Sequence, residues 1–336
     1  MISGAPHAAR WIRSEPRRSL PAPDLDRLLR HALGNCTVIE VQPLTAGFRN
    51  ANFKVRLDTG DGWIVVRIYE HDASLCRKEI DLLRVVAVTV PVPQVIFAEP
   101  SGLDGLPPFL LMQYVEGISF HDLQRNGDHE AIAQAAFAVG ETLAAIGRIT
   151  FPKSGWLGPG PTVTAPLLDG ADPTPRFVDL CLASTNLQRR MPAALRHRVS
   201  ALLWARAQQL AELDAQTSLV HGDFGKRNLL VQCDDGRWSV AAVLDWEFAL
   251  SGSPLADLGH FLRYECAARP GAEPNFSRGY SHAGGILPPE WRLIARLVDL
   301  TALCESLTHD ELPDAVTAEL VELVRATVED RDHVFA

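Results

Sequence analysis

The sequence predicts an α+β chain in two unequal lobes, a small antiparallel sheet first and a larger, mainly helical part after it. Three observations carry this expectation. At 336 residues the chain exceeds what one hydrophobic core usually organises, so two domains or lobes are expected. Between Thr37 and Glu116 the apolar residues fall into about five strand-length runs with one helical pattern inserted among them. Beyond Gly117 the helical period takes over, interrupted by one strand pair between Leu229 and Leu244. The expected division is a flexible N-terminal tail at 1–21, an N-terminal lobe at 22–116 and a C-terminal lobe at 117–336.

The elements follow in order. Residues 1–21 scatter Arg10, Arg13, Arg17 and Arg18 among prolines and small residues, which reads as a frayed tail rather than a targeting peptide. From Pro23, the residues Leu25, Leu28, Leu29, Ala32 and Leu33 keep helical spacing until Gly34 and Asn35 stop it. Strand-like runs come next at Thr37–Val41, Ala51–Leu57 and Trp63–Tyr69. A helix is expected over Ala73–Val86, with Leu75, Ile80, Leu83 and Val86 on its apolar side and Glu79 near its middle. VPVPQVIFAEP and PFLLMQYVEG supply two more strands around the turn SGLDGLPP. In the second lobe Ile132, Ala135, Ala136, Val139, Leu143 and Ile146 form one apolar stripe. Further helical patterns cover Phe177–Asn186, Ala194–Leu213, Pro289–Leu307 and Leu312–Asp330. The Pro- and Gly-crowded stretch FPKSGWLGPGPTVTAPLLDGADPTP is too long for an idle connection by usual loop lengths, and either lines a substrate site or merely connects.

Composition removes several function classes. A formal net charge of −9 argues against a nucleic-acid partner and has the sign suited to a cationic substrate, although acidity for solubility alone has the same sign. No apolar run approaches the length of a bilayer span, and the N-terminus lacks the apolar core of a signal peptide, so no membrane partner and a cytoplasmic location are expected. The six cysteines show no C-x-x-C and the histidines no H-E-x-x-H, which argues against zinc and a disulfide scaffold.

The chemistry concentrates between Ser218 and Arg263. Two apolar runs, Leu229–Val231 and Val240–Leu244, flank the turn-like CDDGRW and read as a hairpin. His221, Gly222, Asp223 and Asn228 precede the first run, and Asp245 follows the second. The hairpin therefore gathers an Asp, an Asn and a second Asp. Oxygen ligands of this kind suit Mg²⁺, and a further carboxylate suits the orientation of an attacking hydroxyl.

HGDFGKRN followed by VLDWE and then SPLADL resembles the catalytic signature of the aminoglycoside phosphotransferase and choline kinase superfamily, small-molecule relatives of the protein kinases. The spacing from Asp223 to Asn228 is that of the kinase loop H-R-D-x-x-x-x-N, and Asp245 matches the Asp of D-F-G. The resemblance implies a bilobal protein-kinase-like fold with a nucleotide-binding N-terminal lobe. It implies ATP and Mg²⁺ as cofactors, Asp223 as catalytic base, and Asn228 and Asp245 as metal ligands. It also assigns Gly47 and Asn50 to the phosphate-covering loop, although Phe48 stands where a second glycine is usual. Arg67 matches the phosphate-gripping cation, with an exposed edge-strand arginine as the plain reading, and Glu79 its helix partner, unless Glu79 pairs locally with Arg77 or Lys78. Gln113, Tyr114 and Val115 resemble the hinge that binds the base through backbone groups, so GTP is not excluded by side chains there.

Other positions depart from the family or stay open. The family commonly has His two residues after the catalytic Asp, where this chain has Gly225. Lys226 or Arg227 is expected to offset charge on the transferring phosphoryl group. Asp257 either braces the catalytic loop or caps a helix. Glu247 serves either the metal or the substrate. The acids Asp299, Glu305, Asp310 and Glu311 resemble in place the carboxylates that receive amino groups in aminoglycoside kinases, so the small-molecule hydroxyl substrate is expected to be a cation. Gly222 before the Asp, and only eleven residues between Asp245 and Asp257, leave no room for a peptide-docking segment. The expected activity is transfer of the ATP γ-phosphate to a small-molecule hydroxyl, with a choline- or homoserine-type kinase and a nucleotide-binding pseudokinase as alternatives.

Overall fold

The chain begins with a helix that covers one face of a sheet. In the computed structural model, which describes residues 20–44, 50–60, 62–70, 72–265 and 271–329, α1 (Ala22–Leu33) carries Pro23 and Asp24 in its first turn. It stops at Gly34, whose φ of 80° suits a residue without Cβ. Most of the expected N-terminal tail, and Gly47, lie outside the described residues. Buried Leu25, Leu28 and Leu29 each contribute about 1.5–3 kcal/mol of apolar burial.

Strands β1 (Val38–Leu44), β2 (Ala51–Leu57) and β3 (Trp63–Ile68) precede α2 (Ala73–Val86). Strands β4 (Val95–Glu99) and β5 (Phe109–Gln113) follow it. They form one antiparallel sheet in the order β1-β2-β3-β5-β4. Strand β1 runs to Leu44, further than its sequence pattern suggests, because Leu44 pairs with Asn52 of β2. Alternation on β5 divides the core: Phe109 and Leu111 join the α1 side, while Leu110 and Met112 join the α2 side, continuous with the second lobe.

After residues 114–117 come β6 (Ile118–Ser119), α3 (Phe120–Asn126) and α4 (His129–Gly147), whose predicted apolar stripe is fully buried. The Pro- and Gly-rich stretch forms a small hairpin, β7 (Gly155–Leu157) and β8 (Val163–Ala165). Two expected helices are four: α5 (Pro173–Leu182), α6 (Thr185–Arg190), α7 (Ala193–Ala205) and α8 (Ala207–Asp214). Breaks fall where Ser184 turns extended and where Arg206, held by Glu290, leaves helical geometry. The remainder is β9 (Ser218–Val220), β10 (Leu229–Asp234), β11 (Arg237–Val243), a 3₁₀ turn (Trp246–Phe248), β12 (Leu250–Gly252), α9 (Leu255–Leu262), α10 (Asn275–His282), α11 (Trp291–Ser306) and α12 (Asp314–Val328). Two small sheets, β11-β10-β6 and β8-β7-β12-β9, carry the loops between β9 and α9. Among the described residues no helix is long and apolar enough to cross a membrane.

Candidate active site

The expected hairpin is β10 and β11. Asp234 pairs with Arg237 across a two-residue Asp-Gly turn, with Asp235 and Gly236 at φ 49° and 78°, the left-handed pair that such a tight turn needs. At the open end Leu229 pairs with Val243, and the Leu244 amide donates to the Asn228 carbonyl at 2.8 Å. Register alone thus brings Asn228 beside the segment that carries Asp245. Asp245 is left-handed at φ 70°, a conformation that Asp tolerates better than most residues.

The loop from His221 to Asn228 is held at several points. Both Asp257 oxygens accept from its backbone, from the His221 amide at 2.7 Å and the Gly222 amide at 3.0 Å. Asp257 is therefore the loop's brace. The His221 ring accepts from the Asp223 amide at Nδ1 (3.1 Å) and lies 2.9 Å from the Leu244 carbonyl through Nε2. These two bonds define the neutral Nε2–H tautomer. Asn228 donates from Nδ2 to the Asp223 carbonyl at 3.0 Å, closing the loop. Gly222 is required here, since its φ is 76° and a Cβ would meet the Phe248 carbonyl oxygen at 2.4 Å.

Above this loop a buried charged cluster joins the lobes. Arg67, 6% exposed, reaches Glu79 at 3.1 Å, Asp245 at 2.5 Å and Glu247 at 3.6 Å. Burial works against the guanidinium's charge, and the carboxylates of Glu79 and Asp245 overcome it, raising its pKa further. Burial likewise raises Glu79, opposed by Arg67, and the Tyr69 hydroxyl donates to the same carboxylate. Glu79 does pair with Arg67. The local partners go elsewhere, Arg77 to Asp81 and Lys78 to the Glu247 carbonyl at 2.8 Å. Burial lowers the Lys78 pKa to about 8. Asn50 donates to Glu247 at 2.7 Å.

Several expected roles change. Glu247 faces Asn50 and Arg67 within the interlobe cluster, 2% exposed, and does not line the cavity beside the loop. Lys226 does not face the loop's chemistry: its ammonium is bound by Gln124 (2.8 Å) and Glu265 (3.1 Å), and burial lowers its pKa. Arg227 is exposed and, after burial itself, is the main influence lowering the pKa of His121. In the hinge, the Gln113 amide donates to Gln94 and the Tyr114 amide to Trp63, so sheet bonds occupy both donors. Of the three hinge positions, Val115 is the one whose amide neither bond uses. Tyr114 presents its ring to Lys54 at 3.6 Å.

Next to the loop lies a cavity of about 150 Å³ walled by Trp156, Leu167, Leu168, Phe177, Val298 and Ala302, with Gly222 and His260 also in its lining. The Pro- and Gly-rich stretch therefore supplies part of the wall and is no passive connector. Acids at this wall are engaged: Thr174 donates twice to Asp214, Asp257 holds the loop, and Asp299 receives Arg263 at 2.8 and 2.6 Å. Asp310 accepts from Asn186 at 2.7 Å, Glu311 is exposed outside this wall, and Glu305 alone of the four expected acids joins Asp299 at the cavity. His260 escaped the sequence reading. Its Nε2 lies 3.3 Å from Asp223 Oδ1, and its signal was the i, i+3 spacing from Asp257 within SPLADLGHF.

The family model described as "phosphotransferase enzyme family" (APH) matches residues 40–297. Among curated proteins, acyl-CoA dehydrogenase family member 11 of Homo sapiens is 28% identical over 203 residues, which is 60% of this chain and 24% of that protein. Family member 10 of Mus musculus is 27% identical over 264 residues, 74% of this chain and 22% of that protein. The chain spans about a quarter of the length of these relatives. Among solved structures, a thermostable mutant of aminoglycoside phosphotransferase APH(4)-Ia with ADP and hygromycin B superposes at a TM-score of 0.65 and 19% identity, over 91% of this chain and 98% of that one. APH(2")-IIia with GDP and kanamycin gives 0.66 and 15%, over 91% and 99%. These structures share the bilobal protein-kinase-like fold. The chain belongs to the phosphotransferase enzyme family.

Proposed function

We propose that this chain transfers the γ-phosphate of ATP, with Mg²⁺, to a hydroxyl carried on a small molecule with an apolar, acyl-like body. The observation that carries the reading is that Asp223 follows Gly222, which lines an apolar cavity, on a loop closed by Asn228, whose carbonyl receives the Leu244 amide just before Asp245 of the charged cluster.

On the nucleotide side Asn228 and Asp245 would hold the metal. The donor set fits: one amide oxygen and one carboxylate are hard ligands, and Mg²⁺ commonly completes its shell with phosphate oxygens and water. The cluster's charge fits as well, since Arg67 faces three carboxylates and a divalent cation relieves their mutual repulsion. Bound there, the metal neutralises charge on the β- and γ-phosphates. Arg67 offers its fork to phosphate oxygens, with Glu79 keeping it in place. The backbone at Val115 is suited to the base. Asp223 accepts the hydroxyl proton while that oxygen bonds to the γ-phosphorus. The bond from phosphorus to the β-phosphate bridge breaks and ADP leaves.

The acceptor reading replaces a cation by an apolar body, because Asp214, Asp257 and Asp299 at the cavity are already bonded while its wall is largely aromatic and aliphatic. The curated relatives are named for acyl-CoA dehydrogenation, which supports a hydroxylated acyl chain in particular. The test is a product screen by mass with purified protein and Mg-ATP. Acceptors are hydroxy fatty acids and their thioesters, choline, homoserine, neutral sugars, hygromycin B and kanamycin. Phosphorylated hydroxyacyl compounds are expected. Phosphorylation of the aminoglycosides alone would overturn the apolar acceptor, and tight ATP binding without any product would favour a pseudokinase.

A further inference from the structure

We infer that His260 is a positioning residue for Asp223, so that α9 orients both the backbone of the catalytic loop and the carboxylate it carries. The inference rests on the reading of Asp223 as base. Asp257 and His260 stand three residues apart on α9 and thus on one face. Asp257 holds the His221 and Gly222 amides, and one turn later His260 Nε2 lies 3.3 Å from Asp223 Oδ1. Both side chains are largely shielded, 12% and 19% exposed, so water screens the contact little.

Two further features make this an arrangement rather than a chance approach. The helix cannot drift: Arg263 forms a two-point pair with Asp299 of α11, Phe261 stacks on Phe276 at 4.2 Å, and a Cβ on Gly259 would meet the Ala295 carbonyl oxygen at 2.3 Å. The loop also makes room. A Cβ on Gly225 would lie 3.3 Å from His260 Nε2, so a side chain there would crowd the imidazole. The adjacent Lys226 is bound to Gln124 and Glu265 on another side. His260 also edges the acceptor cavity, so the imidazole lies between that cavity's wall and the base.

The experiment uses the full chain with Mg-ATP and follows ADP release to water, which requires no knowledge of the acceptor. H260A is expected to lower kcat by about 10- to 100-fold, the scale for a misaligned reacting group, while KM for Mg-ATP and Tm stay near wild type. H260Q, whose amide N–H still reaches a carboxylate, should recover part of the loss. G225A should lower kcat in the wild-type background and add little to H260A, because both act through one contact. D223N is the reference. If D223N is slow and H260A turns over at the wild-type rate, the inference is overturned while the base stands. If neither variant is slow, the base reading itself fails and takes the inference with it. If H260A and H260Q lose activity equally and only in proportion to lost folded protein, His260 is merely structural and the inference is overturned.

Discussion

The charged cluster and the cavity near the His221–Asn228 loop are built from opposite materials. Toward the first lobe, Arg67, Glu79, Glu247 and Lys78 are buried together, with the part-exposed Asp245 at the margin of the cluster. Toward the second lobe, the cavity is lined mainly by aromatic and aliphatic side chains, and three of its carboxylates, Asp214, Asp299 and Asp257, are occupied by Thr174, Arg263 and the loop amides. The difference teaches that net charge says little about a site. An acidic chain can spend its carboxylates on internal bonds and leave a cavity with an apolar surface, whereas the proposed nucleotide flank concentrates charge where a metal and phosphates would use it.

Breaking the charged flank at its edge should give the largest effect. D223N is expected to reduce turnover by about 10²- to 10⁴-fold, the range for a lost general base, with Mg-ATP affinity retained in calorimetry. Wild-type turnover would remove Asp223 from the chemistry. Within the cluster, E79A withdraws one partner of a buried pair and should cost about 3–5 kcal/mol in urea unfolding, which a surface pair would not. A loss under about 1 kcal/mol would mean that water enters the cluster readily.

Lys78 sharpens the comparison through pH. Burial lowers its folded pKa to about 8 from 10.5. Below about pH 8 both states hold the proton and the full burial penalty applies; between there and 10.5 the unfolded chain binds more protons, so stability rises with pH. Wild type should therefore gain about 2 kcal/mol relative to K78M between about pH 7 and 9.5. A constant difference would contradict a buried ammonium.

The apolar flank should respond to shape and ignore salt. A302W fills the cavity and should raise the acceptor KM by about 10-fold, the worth of a few methylenes of pocket contact, with nucleotide affinity unchanged. In wild type the acceptor KM should change less than about twofold between about 0.05 and 0.3 M salt, since an uncharged contact is not screened. A steep salt dependence would restore the cationic acceptor.

How much was legible follows from which interactions are local. Helix α2 was readable to its ends, Ala73 and Val86, because apolar period and the Asp72 cap are near-neighbour effects. The hairpin that joins Asn228 to Asp245 was readable for the same reason, its Asp-Gly turn fixing the register. Helix α10 went unseen, being eight residues that include Gly279, two serines and a histidine, held by its packing on α4. The break at Arg206 depended on a partner distant in sequence, Glu290.

The sequence by itself determined the family and singled out Asp223, Asn228, Asp245, Arg67 and Glu79 as candidates, because metal and phosphate chemistry demands particular groups at fixed short spacings. Only the tertiary structure decided what the remaining charges do. Lys226 turned to Glu265, Glu247 to Asn50 and Arg67, Asp299 to Arg263, and His260 to Asp223. The physical reason is that a charged side chain, once shielded from water, takes whichever opposite charge or hydrogen-bond partner the packed backbone brings within about 3 Å, and that neighbour is set by the fold's long-range contacts.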